Sequence, residues 1–338
     1  MTSVSYGDLA QAQLLRRSSR ATEGRLTQLA DELASGRRQD LARATGGDFK
    51  LLAGIERSLG LLRSFSATAD EAALVGQAMQ GALDTVQGLA EDSGIAFTSA
   101  ASNGGAVAVR MTAASARLQL DAAVSALNAN VGDRYLFSGA DTDRPALPGG
   151  EPILSALATV TSGLPTAEAV LDAVRGWFDA PRGGGGFLDL AYGGSDGAAG
   201  PMPIAISESA RFDVSAADPV LRHTMEGLAL GALIDAGTLS GDSAACAQVL
   251  SVAGETLLGA AAGVVELRGR IGAIEAKIEG ARARQAAETS ALEIAREGIA
   301  AADPYETASG LEETRNQLEM LYALTARLSH LSLMEYLR

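Results

Sequence analysis

The feature that most constrains this chain is a heptad seam close to its C-terminal end. Val264, Leu267, Ile271, Ile274 and Ile278 follow one another at spacings of 3, 4, 3 and 4, and the register continues through Ala281, Gln285, Glu288, Leu292, Ala295 and Ile299. A seam kept for about five heptads is the pattern of a coiled coil rather than of a surface helix of a globular protein. Such a seam needs a partner of comparable length, and the best partner in the same chain lies at the opposite end of the sequence. There the positions 15, 19, 22, 26, 29 and 33 repeat the 4-3 alternation, with Leu15, Leu26, Leu29 and Leu33 apolar and Ser19 and Thr22 weakening it. A chain whose ends pair reads as a building block more than as a catalyst.

The middle of the chain has a different character. Residues 49–89 and 106–130 keep a helical period, the first with Leu52, Ile55, Leu59 and Leu62. The second offers Val107, Met111, Leu118, Val124 and Leu127 as core positions, and the run Glu91-Asp92-Ser93-Gly94 predicts a break between the two. From Asp141 onward the chain gains Pro145, Pro148, Pro152, Pro165, Pro181, Pro201, Pro203 and Pro219, a density that long helices do not tolerate. Residues 203–207 and 211–215 alternate like short strands, and a helix around 166–178 would bury Val170, Leu171, Val174 and Trp177. Helical periodicity resumes near Asp218, runs on to Ala300, stops at Asp303-Pro304, and returns in a last amphipathic helix with Leu311, Leu318, Leu321, Leu324, Leu328 and Leu331.

Charge and composition narrow the function classes. The net charge is −14, which argues against nucleic acid as a partner, because phosphate binding requires clustered Lys and Arg. The charge is uneven: residues 1–63 hold ten Lys/Arg against seven Asp/Glu, whereas 140–245 hold five against fourteen. An acidic middle suits a solvent-facing surface. Aromatics are 4% of the chain, so Ala and Leu dominate an interior suited to close helix packing rather than to a deep ligand pocket. The lone Cys246 excludes an internal disulfide and reads as a small buried hydrophobe. No run approaches the roughly 18 apolar residues of a membrane-spanning helix, and the first residues lack the pattern of a cleaved secretory signal.

A search for chemistry yields little. His223 and His330 have no neighbouring ligands at metal-binding spacing. The run Gly183–Gly186 lacks the Lys-Ser/Thr of a phosphate loop and reads as a flexible loop. Asp141-Thr142-Asp143 and Asp196-Gly197 are too short for a calcium loop and read as turns. No cofactor, no metal and no enzymatic activity are expected. The one enzymatic or carbohydrate-binding alternative would use a pocket lined by Trp177, Phe178, Phe187 and Tyr192 in the central region.

Two stretches carry a family likeness. Gly132-Asp133-Arg134-Tyr135-Leu136-Phe137-Ser138-Gly139 and the following Thr142 and Pro145 resemble the junction stretch of flagellar hook-associated proteins of the FlgL type. The ending Leu331-Ser332-Leu333-Met334-Glu335-Tyr336-Leu337 is similar to the Leu-Ser-Leu-x-x-Tyr-Leu ending of that family. Leu33-Ala34-Ser35-Gly36-Arg37 resembles the segment after the first flagellin helix, although Gln39-Asp40-Leu41 departs from the usual continuation. The resemblance implies a mainly α, flagellin-like fold with long N- and C-terminal helices paired as coiled coils and a small α+β outer domain inserted between them. Its expected division is 1–36 with 303–338 as the terminal coiled coil, 37–140 with 243–302 as a helical bundle, and 141–242 as the outer domain. It further implies an extracellular adaptor joining hook to filament, exported through the flagellar apparatus without a cleaved signal, or alternatively a flagellin. The implied partners are other copies of the chain, a hook-associated protein on the hook side, flagellin on the filament side and a cytoplasmic export chaperone, with no nucleic acid and no membrane insertion. The residues expected to carry assembly by packing are Leu26, Leu29, Leu33, Val264, Leu267, Ile271, Ile274, Ile278, Leu318, Leu321, Leu324, Leu328 and Leu331.

Overall fold

A computed structural model describes residues 6–44, 47–103 and 105–336. The fold is mainly α. In chain order the elements are α1 (Tyr6–Ser35), α2 (Leu41–Ala44), α3 (Lys50–Asn103), α4 (Ala106–Leu127), β1 (Asn130–Val131) and β2 (Arg134–Tyr135). They continue with α5 (Gly150–Thr161), α6 (Ala167–Asp179), α7 (Phe187–Leu190), β3 (Met202–Ala205), β4 (Glu208–Ala210), α8 (Pro219–Asp235), α9 (Ser243–Ala300) and α10 (Pro304–Tyr336). Contacts divide the chain into two compact units, residues 1–61 with 286–338 and residues 62–285.

In the 62–285 unit a single hydrophobic cluster runs from Ala69 and Met79 of α3 through the central region to Ile278 and Ala281 of α9. Helix α8 is buried from Thr224 through Ile234 and packs along α4 within this cluster. Close approach is made possible by glycine. A Cβ on Gly231 of α8 would lie 2.7 Å from the Cβ of Ala116 and 2.6 Å from Phe97, and one on Gly227 would lie 2.5 Å from Leu257. These clashes explain why the large apolar residues of α4 are not its inner face. Val107, Met111 and Leu118, expected in the core, are 63%, 72% and 73% exposed, and the buried stripe is Val109, Ala113, Ala116, Leu120, Ala123, Val124 and Leu127.

The break expected at 91–94 is absent, because α3 passes through it as continuous helix. Gly94 is there for packing: a Cβ would meet Leu258 at 2.8 Å and the carbonyl of Gly254 at 3.1 Å, while one on Gly254 would lie 2.9 Å from the carbonyl of Gly94. The two glycines let α3 and α9 cross backbone against backbone. Polar side chains fix the same pair: Arg268 donates to Gln80 at 3.3 Å and Gln87 at 2.7 Å, and it pairs with Asp84 at 2.8 Å. The 18-residue window of mean hydropathy 1.4 in α9 makes it long and apolar enough to cross a membrane by length and composition. The sequence reading had expected no such run; its apolar stripe here lines the core of the unit.

The proline-dense region contains more helix than expected. Residues 150–161 form α5, whose Pro152 sits in the first turn, where a missing N–H costs nothing. The helix around 166–178 is α6, capped by the Thr166 hydroxyl, which accepts from Ala169 N at 3.3 Å. Strands β3 and β4 pair antiparallel, Met202 opposite Ala210. The second strand is shorter and earlier than the expected 211–215, whose Phe212 and Val214 nevertheless point inward. Trp177, Phe178 and Phe187 pack on one another, with centroids 5.0, 5.9 and 5.4 Å apart, and Tyr192 is buried with them. They fill part of the core. The glycine run is held rather than loose: the Asp189 carboxylate accepts from Gly183 N at 2.9 Å and Gly185 N at 2.8 Å, which keeps that carboxyl below the usual range.

The Gly94–Gly254 crossing yields a direct test. Gly254→Ala places a methyl against a backbone carbonyl that cannot turn aside, and a loss of about 1–3 kcal/mol is expected. Gly259→Ala, on the same helix with open space around it, is expected to be neutral or stabilising by up to about 1 kcal/mol. Chemical denaturation of both variants checks the contrast, and equal midpoints would contradict it.

Candidate assembly interface

The terminal helices α1 and α10 pack against each other in the unit formed by 1–61 and 286–338. Their ends are fixed by a short two-stranded clasp. Helix α1 closes with the Gly36 N–H donating to the Glu32 carbonyl, and Gly36 then takes a left-handed φ of 68° that a side chain would disfavour. Beyond it Arg37 and Ala301 bridge antiparallel, with Arg38 N donating to Ala300 O at 2.8 Å and Ala302 N to Gly36 O at 2.9 Å. Arg37 pairs with Glu297 at 3.0 Å across the clasp. Asp303 then starts α10 as its cap, accepting from Tyr305 N and Glu306 N, with Pro304 at the first position. The sequence motifs Leu33–Arg37 and Ala302–Glu306 are thus two sides of one joint.

Along the helices the seam is only partly apolar. Thr22 of α1 and Thr307 and Thr314 of α10 are buried, and Leu26, Leu29, Leu311, Leu318 and Leu321 are half-buried. Gly310 of α10 faces Leu29 of α1, where a Cβ would make an ordinary contact at 3.7 Å. Two expected members turn away: Leu33 is 40% and Leu324 50% exposed. The place beside Leu33 is taken by Glu32, whose carboxylate is buried and accepts from Gln28 Nε2 and Gln39 N, both at 2.9 Å. On α10 the 4-3 register set by Thr314, Leu318 and Leu321 passes next to Thr325, which leaves Leu324 outside it. Leu328 and Leu331 belong to α10, but their side chains lie outside the described residues. Sequence reading missed the tie from Tyr322 Oη to Glu23 Oε1 at 2.6 Å. Its signal, a Tyr and a Glu on facing helices, has no fixed spacing.

The other seam, on α9, belongs to the 62–285 unit. Val264, Leu267, Ile271 and Ile278 are buried in its core and Ile274 is half-buried. The seam therefore packs inside its own unit. Its last buried position, Gln285, is covered by the β3–β4 hairpin, to whose Ile204 carbonyl it donates; Lys277 donates to Ser209 O at 2.9 Å. Beyond Gln285 the same register emerges, with Glu288 and Ala295 exposed.

The stretch 132–145 is a structural hub. Gly132 and Asp133 have φ of 55° and 62°, the left-handed pair of a tight turn joining β1 to β2. Asn128 holds Leu147 by both its N–H and its carbonyl at 2.9 Å each. Phe137 is fully buried, and its carbonyl accepts from Ala216 N at 2.9 Å. Gly139, with φ 65°, lies where a Cβ would be 2.3 Å from the Ser195 carbonyl. The aspartates once weighed as calcium ligands are engaged with arginines, Asp141 with Arg144 and Asp196 with Arg182. Among the described residues no group of three His, Cys, Asp or Glu side chains is placed to hold a metal. His223 lies 3.5 Å from Asp179, the side chain of His330 is outside the described residues, and Cys246 is buried near the start of α9, which raises its thiol pKa.

Comparison with known proteins bears on the C-terminal helices. Residues 256–337 match the family model described as the bacterial flagellin C-terminal helical region. This part of the chain is flagellin-like. The match spans the distal part of α9, the clasp and α10, so it includes the helix that pairs with α1. A solved Vibrio parahaemolyticus protein assigned as a flagellar hook-associated protein shares 13% identity over 72% of this chain and 95% of its own, with a TM-score of 0.42. No curated protein sequence matches the chain.

The seam makes a graded prediction. Leu29→Asp places a charge between α1 and α10 beside Gly310 and is expected to destabilise the pair by about 1–3 kcal/mol, whereas Leu33→Asp is expected to cost under about 0.5 kcal/mol. Limited proteolysis reads the difference: α1 and α10 should be cut earlier in Leu29→Asp, while fragments covering 62–285 persist. Equal cutting in both variants would contradict the assigned register.

Proposed function

We propose that this protein is a structural, non-enzymatic subunit of the bacterial flagellum that joins hook to filament. The observation that carries the reading is the flagellin-type C-terminal region in residues 256–337, which contains the helix paired with α1. The likeness of residues 132–145 and of the Leu331–Leu337 ending to hook-associated proteins favours a junction subunit. A flagellin, the filament subunit itself, is the second reading, since it would use the same terminal helices.

In this reading the chain is exported without a cleaved signal and works outside the cell at the hook–filament junction. Its partners are further copies of itself, a hook-associated protein on one side and flagellin on the other. A cytoplasmic chaperone covers the apolar residues of α10 before export. Assembly rests on packing by Leu26, Leu29, Leu318 and Leu321, with Leu328 and Leu331 extending the stripe. Subunits that meet through unlike surfaces form an open helical array and not a closed ring, which suits a short stack on a tube.

Deletion of the gene in its host tests the proposal. Hooks without filaments, with flagellin lost to the medium, are expected. Hooks that carry a junction but no filament protein would favour the flagellin reading, and normal filaments would contradict both. Leu318→Asp combined with Leu321→Asp is expected to give the deletion phenotype while leaving the 62–285 unit folded. Full motility in that strain would overturn the role given to α10.

A further inference from the structure

Helix α8 carries a carboxylate where its neighbours are all core. Glu226 is 2% exposed and sits within the uninterrupted buried run from Thr224 to Ile234. Among the described residues its one ion pair is with Arg175 of α6, Nε to Oε1 at 3.7 Å, which is too long for a good hydrogen bond. Arg175 itself is half exposed, so water competes for it. The charges of Arg222 and His223 also reach Glu226, although each has another partner. Arg222 donates to the carbonyls of Phe178 and Ala217, and His223 lies 3.5 Å from Asp179. Helices α4 and α5 also pack on α8; their charged residues are Arg110, Arg117, Asp121 and Glu151, of which Arg117 and Glu151 pair with each other.

We propose that Glu226 is a proton-linked latch between α8 and α6: when protonated it lets α6 seat firmly on α8, and when ionised it loosens that seat. A neutral carboxyl suits this buried site, whereas a carboxylate must give up its water for one distant, wet partner. Burial, the largest influence, raises the Glu226 pKa; the charges of His223, Arg175 and Arg222 oppose this and Asp179 adds to it. The sign follows from the raised value. The folded form holds the proton more tightly than the unfolded chain, so the stability from this group is full below the ordinary carboxylate range and is lost as pH rises through the folded pKa. Acid therefore tightens this contact, opposite to the usual behaviour of a paired surface carboxylate such as Asp196, whose pKa is lowered chiefly by its hydrogen bonds with Arg182.

The chain carries its own reporter. Trp177 is the single tryptophan, lies on α6 two residues beyond Arg175, and is 5% exposed. The experiment follows the full chain from pH 4.5 to 8.5 by thermal unfolding and by acrylamide quenching of Trp177, for the wild type, Glu226→Gln and Arg175→Ala. Glu226→Gln should melt about 2–4 °C above the wild type at pH 8 and coincide with it at pH 4.5. Quenching of Trp177 should rise with pH in the wild type and stay flat in Glu226→Gln. Arg175→Ala should lose more at pH 8 than at pH 4.5, because the ionised carboxylate is then left alone, and this profile decides the matter by itself should Glu226→Gln fail to fold. Parallel pH profiles for the wild type and either variant, or quenching that is indifferent to pH in the wild type, would overturn the latch.

Discussion

Two helices that pair can bury one stripe each and no more. That limit governs the unit formed by the chain's ends. Helix α1 and helix α10 meet along a seam in which Thr22, Thr307 and Thr314 are interior and the leucines are only half-buried. Apolar residues off the seam are largely open to solvent: Leu14 is 64% exposed, Met320 61% and Leu324 50%. Isolated helical pairs of this kind are marginal in water, because burial of a thin stripe barely offsets the entropy of ordering some thirty residues in each helix. A protein that leaves so much of its terminal helices unfilled is suited to completing them against something else. The clasp at Gly36–Arg38 and Ala300–Ala302 fixes where the pair starts.

The 62–285 unit obeys the opposite constraint. It is closed by its own packing, and it achieves this with small residues at helix crossings. Gly94 against Gly254 lets two backbones meet, and Gly227 and Gly231 of α8 leave the room that Leu257, Phe97 and Ala116 fill. Alanine becomes a core residue there, and large residues such as Met111 and Leu118 are displaced to the surface. The hub at 128–147 extends the same unit into the proline-dense region through backbone pairing rather than through bulk, with Asn128, Phe137 and Ser138 each holding a distant segment.

This contrast explains what could be read from the sequence. The long periodic segments, their polarity along the chain and the joint at Asp303-Pro304 were legible because periodicity and capping are local. The α9 seam was legible as a buried stripe from Val264 to Gln285, but its partner was not, since a heptad pattern says that something covers it and not what. The break expected at Glu91–Gly94 failed because glycine has two uses, turning a chain and admitting a neighbour, and sequence distance alone does not separate them. The inner face of α4 was misjudged for a related reason: hydrophobicity ranks Met111 above Ala113, whereas a close crossing selects by size. Leu26, Leu29, Leu318 and Leu321 are half-buried, whereas Leu33 and Leu324 are exposed, because the last turn of α1 and the drift of α10 do not keep an idealised repeat.

The central claim is that the 62–285 unit folds on its own core while the terminal pair awaits a partner. Backbone hydrogen exchange of the purified full chain, resolved by segment, tests it most directly. The account predicts strong protection in the parts of α3, α4, α8 and α9 that lie within residues 62–285, and clearly weaker protection in α1 and in the part of α10 that pairs with it. Protection of α1 and α10 equal to that of α4 and α8 in the isolated protein would contradict it.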